Sequence, residues 1–98
     1  MSEARTPAAS IPCRVARGMF SNERSVLLDL PGEGRLSVLV DQRNVHVPHD
    51  PDFDEEVDGR LDVRIVADEG ENLVVDMPQP SLTRGTRVRV PRRLVEFR

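Results

Sequence analysis

Within nine residues the chain places five side chains of the kinds that ligate metals: His46, His49, Asp50, Asp52 and Asp54. Imidazole nitrogens suit zinc and carboxylate oxygens suit calcium. The spacing satisfies neither ion. A structural zinc site needs four ligands, and two histidines with the single Cys13 supply no recognised set. Asp50-Pro51-Asp52-Phe53-Asp54 opens like an EF-hand loop, which requires Gly at its sixth position and Glu at its twelfth. Those positions hold Glu55 and Leu61, and Pro51 stiffens the start. If Val47 faces inward, His46 faces outward, and Pro48 redirects the chain before His49. A metal-dependent enzyme is therefore the third reading of these residues. The first is a solvated acidic loop over residues 49–58, with six acids in ten residues and with Phe53 and Val57 as its anchors to the core.

The second chemistry is cationic. Arg84, Arg87, Arg89, Arg92 and Arg93 crowd the C-terminal end, and an arginine fork binds phosphate or carboxylate bidentately. On a strand, Arg87 and Arg89 share one face, opposite Val88 and Val90. Charge is segregated along the chain. Residues 1–48 carry +1, residues 49–76 carry -9 and residues 77–98 carry +5, for a net of -3. Two uses follow. The basic end can neutralise the acidic middle across neighbouring strands, with Arg87 and Arg89 beside Asp62 or Asp76. Alternatively, it forms a face that docks an acidic partner or phosphates. Small barrels that bind single-stranded nucleic acid add stacking aromatics. The chain has no Trp or Tyr, so Phe20 and Phe97 are the residues that could stack.

Other chemistries are excluded by residue type or context. All fourteen basic residues are arginine, which removes Schiff-base chemistry and the P-loop lysine. Gly32-Glu33-Gly34 lacks the third glycine and the following helix of a dinucleotide loop. No serine sits in a nucleophile elbow, and no two carboxylates are singled out as an acid–base pair. One cysteine permits no internal disulfide, which favours a reducing, cytoplasmic compartment and a small buried apolar role for Cys13. No apolar run reaches the ~20 residues that span a bilayer, and the N-terminus has no signal-peptide core. The expectation is a non-enzyme with no cofactor and no membrane association.

The elements that would position these residues are strands. Arg24 to Leu30 and Arg35 to Asp41 are alternating runs joined by Pro31-Gly32-Glu33-Gly34, which reads as a hairpin. Cys13 to Phe20 reads as an earlier strand broken near Gly18, with a tight turn at Ser21-Asn22 in which Asn tolerates positive φ. Val45 and Val47 continue past a bulge or form a short strand that Pro48 ends. Arg60 to Val66 alternates most regularly and returns through Leu73 to Met77. Arg87 to Val90 follows, and Pro91 suits an edge. The end, Leu94 to Phe97, reads as a strand in preference to a helical turn. Residues 1–12 read as a flexible tail.

No segment repeats apolar residues at helical spacing. The fold class is all-β: a single-domain barrel or two-sheet sandwich over residues 13–98, SH3-like or OB-like in architecture, with five to six short antiparallel strands. The expected core is Val15, Val26, Leu28, Leu30, Leu36, Val38, Val40, Val47, Leu61, Val63, Ile65, Leu73, Val75, Val88 and Val90. Its small size makes a protein partner or homodimer the leading expectation. The reading is an interaction module, with a barrel that binds single-stranded nucleic acid through the arginines as the alternative.

Overall fold

A computed structural model describes residues 8–81 and 85–97. It is all-β: one antiparallel sheet curls into a half-barrel. The strands are β1 (Ala8–Arg17), β2 (Glu23–Leu30), β3 (Gly34–Asp41), β4 (Val45–His46), β5 (Val57–Asp68), β6 (Asn72–Asp76), β7 (Arg87–Pro91) and β8 (Glu96–Phe97). Six of them run in the order β3-β2-β1-β5-β6-β7, while β4 pairs with β5 and β8 with β1. The sheet is continuous, so the architecture is barrel-like and not a two-sheet sandwich. Its ends approach each other: Val38 bridges to Ser81, and Glu33 Oε2 accepts from the Arg89 amide at 3.1 Å. No helix among the described residues is long and apolar enough to cross a membrane.

The β2–β3 hairpin forms where the alternation and the turn signal agree. Val26 pairs with Val38 and Leu28 with Leu36, all buried. The Glu33 amide donates to the Leu30 carbonyl at 3.1 Å, with Pro31 and Gly32 between them. Pro31 presets its own φ and Gly32 takes φ +84°, the conformation a type II turn asks of its third residue.

Thirteen of the fifteen expected core residues are buried, and Val47 and Ile65 are partly buried against them. Ile65 is displaced by a register shift between Ile65 and Ala67 that ends the strict alternation of β5. Val47 follows the two-residue β4 and packs beside Gly59, where a Cβ would lie 2.7 Å from the His46 carbonyl oxygen. Cys13 is buried as expected, and burial pushes its thiol up to about 12, so it is unreactive.

Several expectations are corrected. Of the expected tail over residues 1–12, residues 1–7 lie outside the described residues, and Ala8–Pro12 is strand: it pairs with β5 from Ala8–Arg64 to Pro12–Arg60, with Ala9 and Ile11 buried. Pro12 fits because the second side of β1 is unpaired there, between β8 at Ala9 and Ser10 and β2 from Arg14 onward. The first strand stops at Arg17, which leaves Phe20 in a loop. The turn at Ser21-Asn22 closes by the Glu23 amide donating to the Phe20 carbonyl at 3.0 Å, and no non-glycine residue among those described has positive φ. Of the two readings of Val45 and Val47, the short separate strand holds: Val45 and His46 form it after a 3₁₀ turn over Gln42–Asn44. The C-terminus combines both options, a 3₁₀ turn over Arg92–Leu94 and then β8.

Candidate interaction surface

The arginines of the basic end meet the acids of the middle segment. Arg64, Asp76 and Arg87 are cross-strand neighbours on β5, β6 and β7. Arg87 Nε donates to Asp76 Oδ1 at 2.9 Å, and Arg64 donates to Oδ2 at 3.0 Å. These two guanidinium groups hold the Asp76 carboxyl at about 2, below its ordinary 3.8. Arg89 Nε donates to Glu69 at 2.6 Å, and Arg92 donates to Asp68. The face alternates as expected, with Arg87 and Arg89 outward and Val88 and Val90 inward. Arg87 therefore finds Asp76, as the neutralising arrangement anticipates, while Arg89 finds Glu69 across the β5–β6 turn instead of Asp62 or Asp76. Arg93 is exposed beside this row, and Arg84 lies outside the described residues.

The potential metal ligands are not brought together. His46 Nε2 lies 2.8 Å from Asp62 Oδ1, whereas His49 Nε2 lies 3.0 Å from Glu55 Oε2. Glu55 raises the His49 pKa above its usual value by that hydrogen bond. Asp50 instead approaches Arg24 at 3.5 Å. Among the described residues no three His, Cys, Asp or Glu side chains are placed to share an ion.

A different surface is built at the end of the half-barrel where residues 18–22 and 47–56 meet. The chain has three aromatic residues, and none enters the core: Phe20 is 67 % exposed, Phe53 85 % and Phe97 52 %. Met19, beside Phe20, is 88 % exposed. One depression of about 210 Å³ is lined by Arg17, Gly18, Met19, Phe20, Ser21 and Phe53, so the two loops form one patch. On its other side Phe20 borders a mostly polar depression that also contains the exposed Leu39 of β3, with Asn22, Glu23, Asp41 and Gln79.

Local bonding forces these side chains outward. Gly18 donates to the Glu23 carbonyl at 3.0 Å, and Glu23 Oε1 accepts from the Met19 amide at 2.9 Å. The loop is closed on itself, with Met19 and Phe20 at its tip. A Cβ on Gly18 would meet the Glu23 side chain at 2.6 Å, so glycine is what permits this closure. In the acidic loop the Glu55 amide donates to the Asp52 carbonyl at 3.1 Å, and Glu55 Oε1 accepts from the Asp52 amide at 3.0 Å. Phe53 and Asp54 are the central residues of that turn. Phe53 was expected to anchor the loop. Val57 is buried as expected, and Pro51 takes the inward place expected of Phe53.

Two arginines hold the loops in register. Arg17 Nε donates to the Pro51 carbonyl at 2.8 Å, and its guanidinium lies over the Phe53 ring, 5.1 Å from the centroid. Arg24 is only 4 % exposed. Its guanidinium donates to the carbonyls of Ser21 and Glu23 at 2.9 Å each and to Gln42 Oε1 at 3.0 Å, and it faces Asp50. Among the described residues no buried side-chain polar atom is left without a partner, which is the condition for burying a charge. Sequence reasoning missed Arg24, although the signal is present. It falls in phase with Val26, Leu28 and Leu30 on the inward face of β2. A charge in that phase is either an error of register or a buried anchor.

Compared with protein-family models, curated proteins and solved structures, the chain matches none.

Proposed function

We propose that the protein is a non-enzymatic interaction module that docks a protein partner on Met19, Phe20 and Phe53. The observation that carries this reading is the complete exclusion of the phenylalanines from an aliphatic core, two of them on loops that internal bonds, Arg17 and the buried Arg24 hold in place. Burying one such side chain is worth about 1.5–3 kcal/mol. Folding leaves that energy unclaimed, and a partner that covers the patch gains it. Large exposed apolar side chains clustered in one place mark interaction sites more often than scattered ones do.

The nucleic-acid alternative has less support. Single-strand binding needs aromatics and cations on one track. Here Phe20 and Phe53 sit beside the acidic loop, while Arg87, Arg89 and Arg92 are paired with carboxylates.

The test is site-specific crosslinking in the cell that makes the protein. A benzophenone side chain replaces Phe53 in one variant and exposed Arg35, on β3, in another. The expected result is a discrete adduct from position 53 and none from position 35. The adduct's mass separates a second 11.0 kDa copy from a different protein. No adduct from position 53, or equal adducts from both, would sink the reading.

A further inference from the structure

We infer that the segment seated on this patch is apolar and basic, a short stretch of a partner protein in which Arg or Lys flanks a large apolar side chain. The inference rests on the docking role proposed above and adds the partner's chemistry. Phe53 is bracketed in sequence by Asp52 and Asp54, both exposed. Neither carboxylate makes an ion pair or hydrogen bond among the described residues. Neighbouring acids do: Asp50 faces Arg24, Glu55 faces His49 and Glu56 faces Arg14. Arg17, Asp52, Phe53, Asp54 and Glu55 together line a second open depression of about 620 Å³, contiguous with the first through Arg17 and Phe53.

The ring also shows what it accepts. The Arg17 guanidinium already lies over it, and the ring is otherwise open. A partner cation approaching the exposed ring meets the negative π face and the two carboxylates together. An apolar side chain beside that cation fits the depression between Phe53, Met19 and Phe20. A phosphate-bearing or acidic segment meets Asp52 and Asp54 at the same rim and is repelled. Charge complementarity thus selects the occupant, while the apolar patch supplies the contact area.

The experiment pans phage-displayed random twelve-residue peptides on the immobilised full chain at low salt. The recovered peptides are then synthesised, and their binding to wild type, Phe53→Ser and the Asp52→Asn/Asp54→Asn double variant is measured by fluorescence anisotropy. Both variants change exposed side chains, and circular dichroism melting confirms that they fold. The expected result is enrichment of peptides with Arg or Lys next to Leu, Met or an aromatic residue. Binding should weaken at least about fivefold in each variant and weaken with salt in wild type. Enriched neutral or acidic peptides that Phe53→Ser abolishes would overturn the basic-segment inference and leave the docking role standing. No enrichment, or enrichment indifferent to Phe53→Ser, would overturn both. A dimer in light scattering that Phe53→Ser dissociates would assign the patch to a second copy and overturn the peptide inference alone.

Discussion

The outer face of β5, β6 and β7 and the loop end of the half-barrel are both rich in charge, and they treat it in opposite ways. On the sheet face, Arg64, Arg87, Arg89 and Arg92 each meet a carboxylate on an adjacent strand or turn. Exposed pairs of this kind contribute little each, but they engage Arg64, Arg87, Arg89 and Arg92 with carboxylates of the same chain. At the loop end the internal pairing is incomplete. Arg24 and Arg17 fix the backbone, and the same loops present Met19, Phe20, Phe53, Asp52 and Asp54 to solvent. A run of arginines in a sequence is thus a poor guide to a binding face. What matters is which groups remain without a partner once the strands are in register.

The contrast breaks most visibly at Arg24. Arg24→Ala removes a buried guanidinium from the carbonyls of Ser21 and Glu23 and from Gln42. The expected loss is about 2–3 kcal/mol of folding stability in urea unfolding. A loss below about 0.5 kcal/mol, the range of ordinary surface changes, would show that the loop end is not organised by this residue. Asp76→Asn is expected to cost less, about 1 kcal/mol for two cross-strand pairs, and to leave patch binding unchanged. Altered patch binding in that variant would join the two regions that are separated here.

Two pH experiments sharpen the same comparison. The Asp76 carboxyl sits at about 2 against an ordinary 3.8. Its pairing with Arg87 and Arg64 stabilises the fold fully above pH 4. That contribution falls as pH drops from about 4 to 2 and is gone below. The stability difference between wild type and Asp76→Asn should therefore shrink over that interval, and a difference that stays constant to pH 2 would contradict the pairing. His49 has the opposite sign. Its pKa is raised above 6.5 by Glu55, so its contribution is present in full below 6.5 and disappears as pH rises through the raised value. A melting advantage of wild type over His49→Ala at pH 6 that persists unchanged at pH 9 would refute it. The smallest effect belongs to Phe53→Ser, which should change stability by no more than about 0.5 kcal/mol. A large loss would mean that the ring is a structural anchor after all.

Much of the scaffold was legible. Period-two alternation located β2, β3, β5, β6 and β7 and most of the core, because a strand with one buried face must alternate. The Pro31-Gly32 turn was legible because its backbone needs those residues. The start of β1 was hidden: Ala8, Ala9, Ser10 and Pro12 are small, polar or donor-poor, and only pairing with β5 reveals the strand. Ser10 is buried there because Arg60 Nε donates to its hydroxyl at 2.8 Å, a partner fifty residues away. The candidate site was hidden for a related reason. Phe53 reads as an anchor in any sequence, since burial is the usual fate of an aromatic in an acidic loop.

By itself the amino-acid sequence determined an all-β chain with an aliphatic core, a closed β2–β3 hairpin, an inert buried Cys13 and a charge layout split between its middle and its end. These follow from properties that neighbouring residues express locally: alternation, turn chemistry and residue type. Only the tertiary structure decided which charges cancel and which aromatics stay outside. That outcome depends on contacts between residues far apart in the chain, such as Arg17 with Pro51, Arg24 with Asp50 and Arg87 with Asp76. A side chain's free energy is set by the partner that strand register brings to it, and register is a property of the folded sheet.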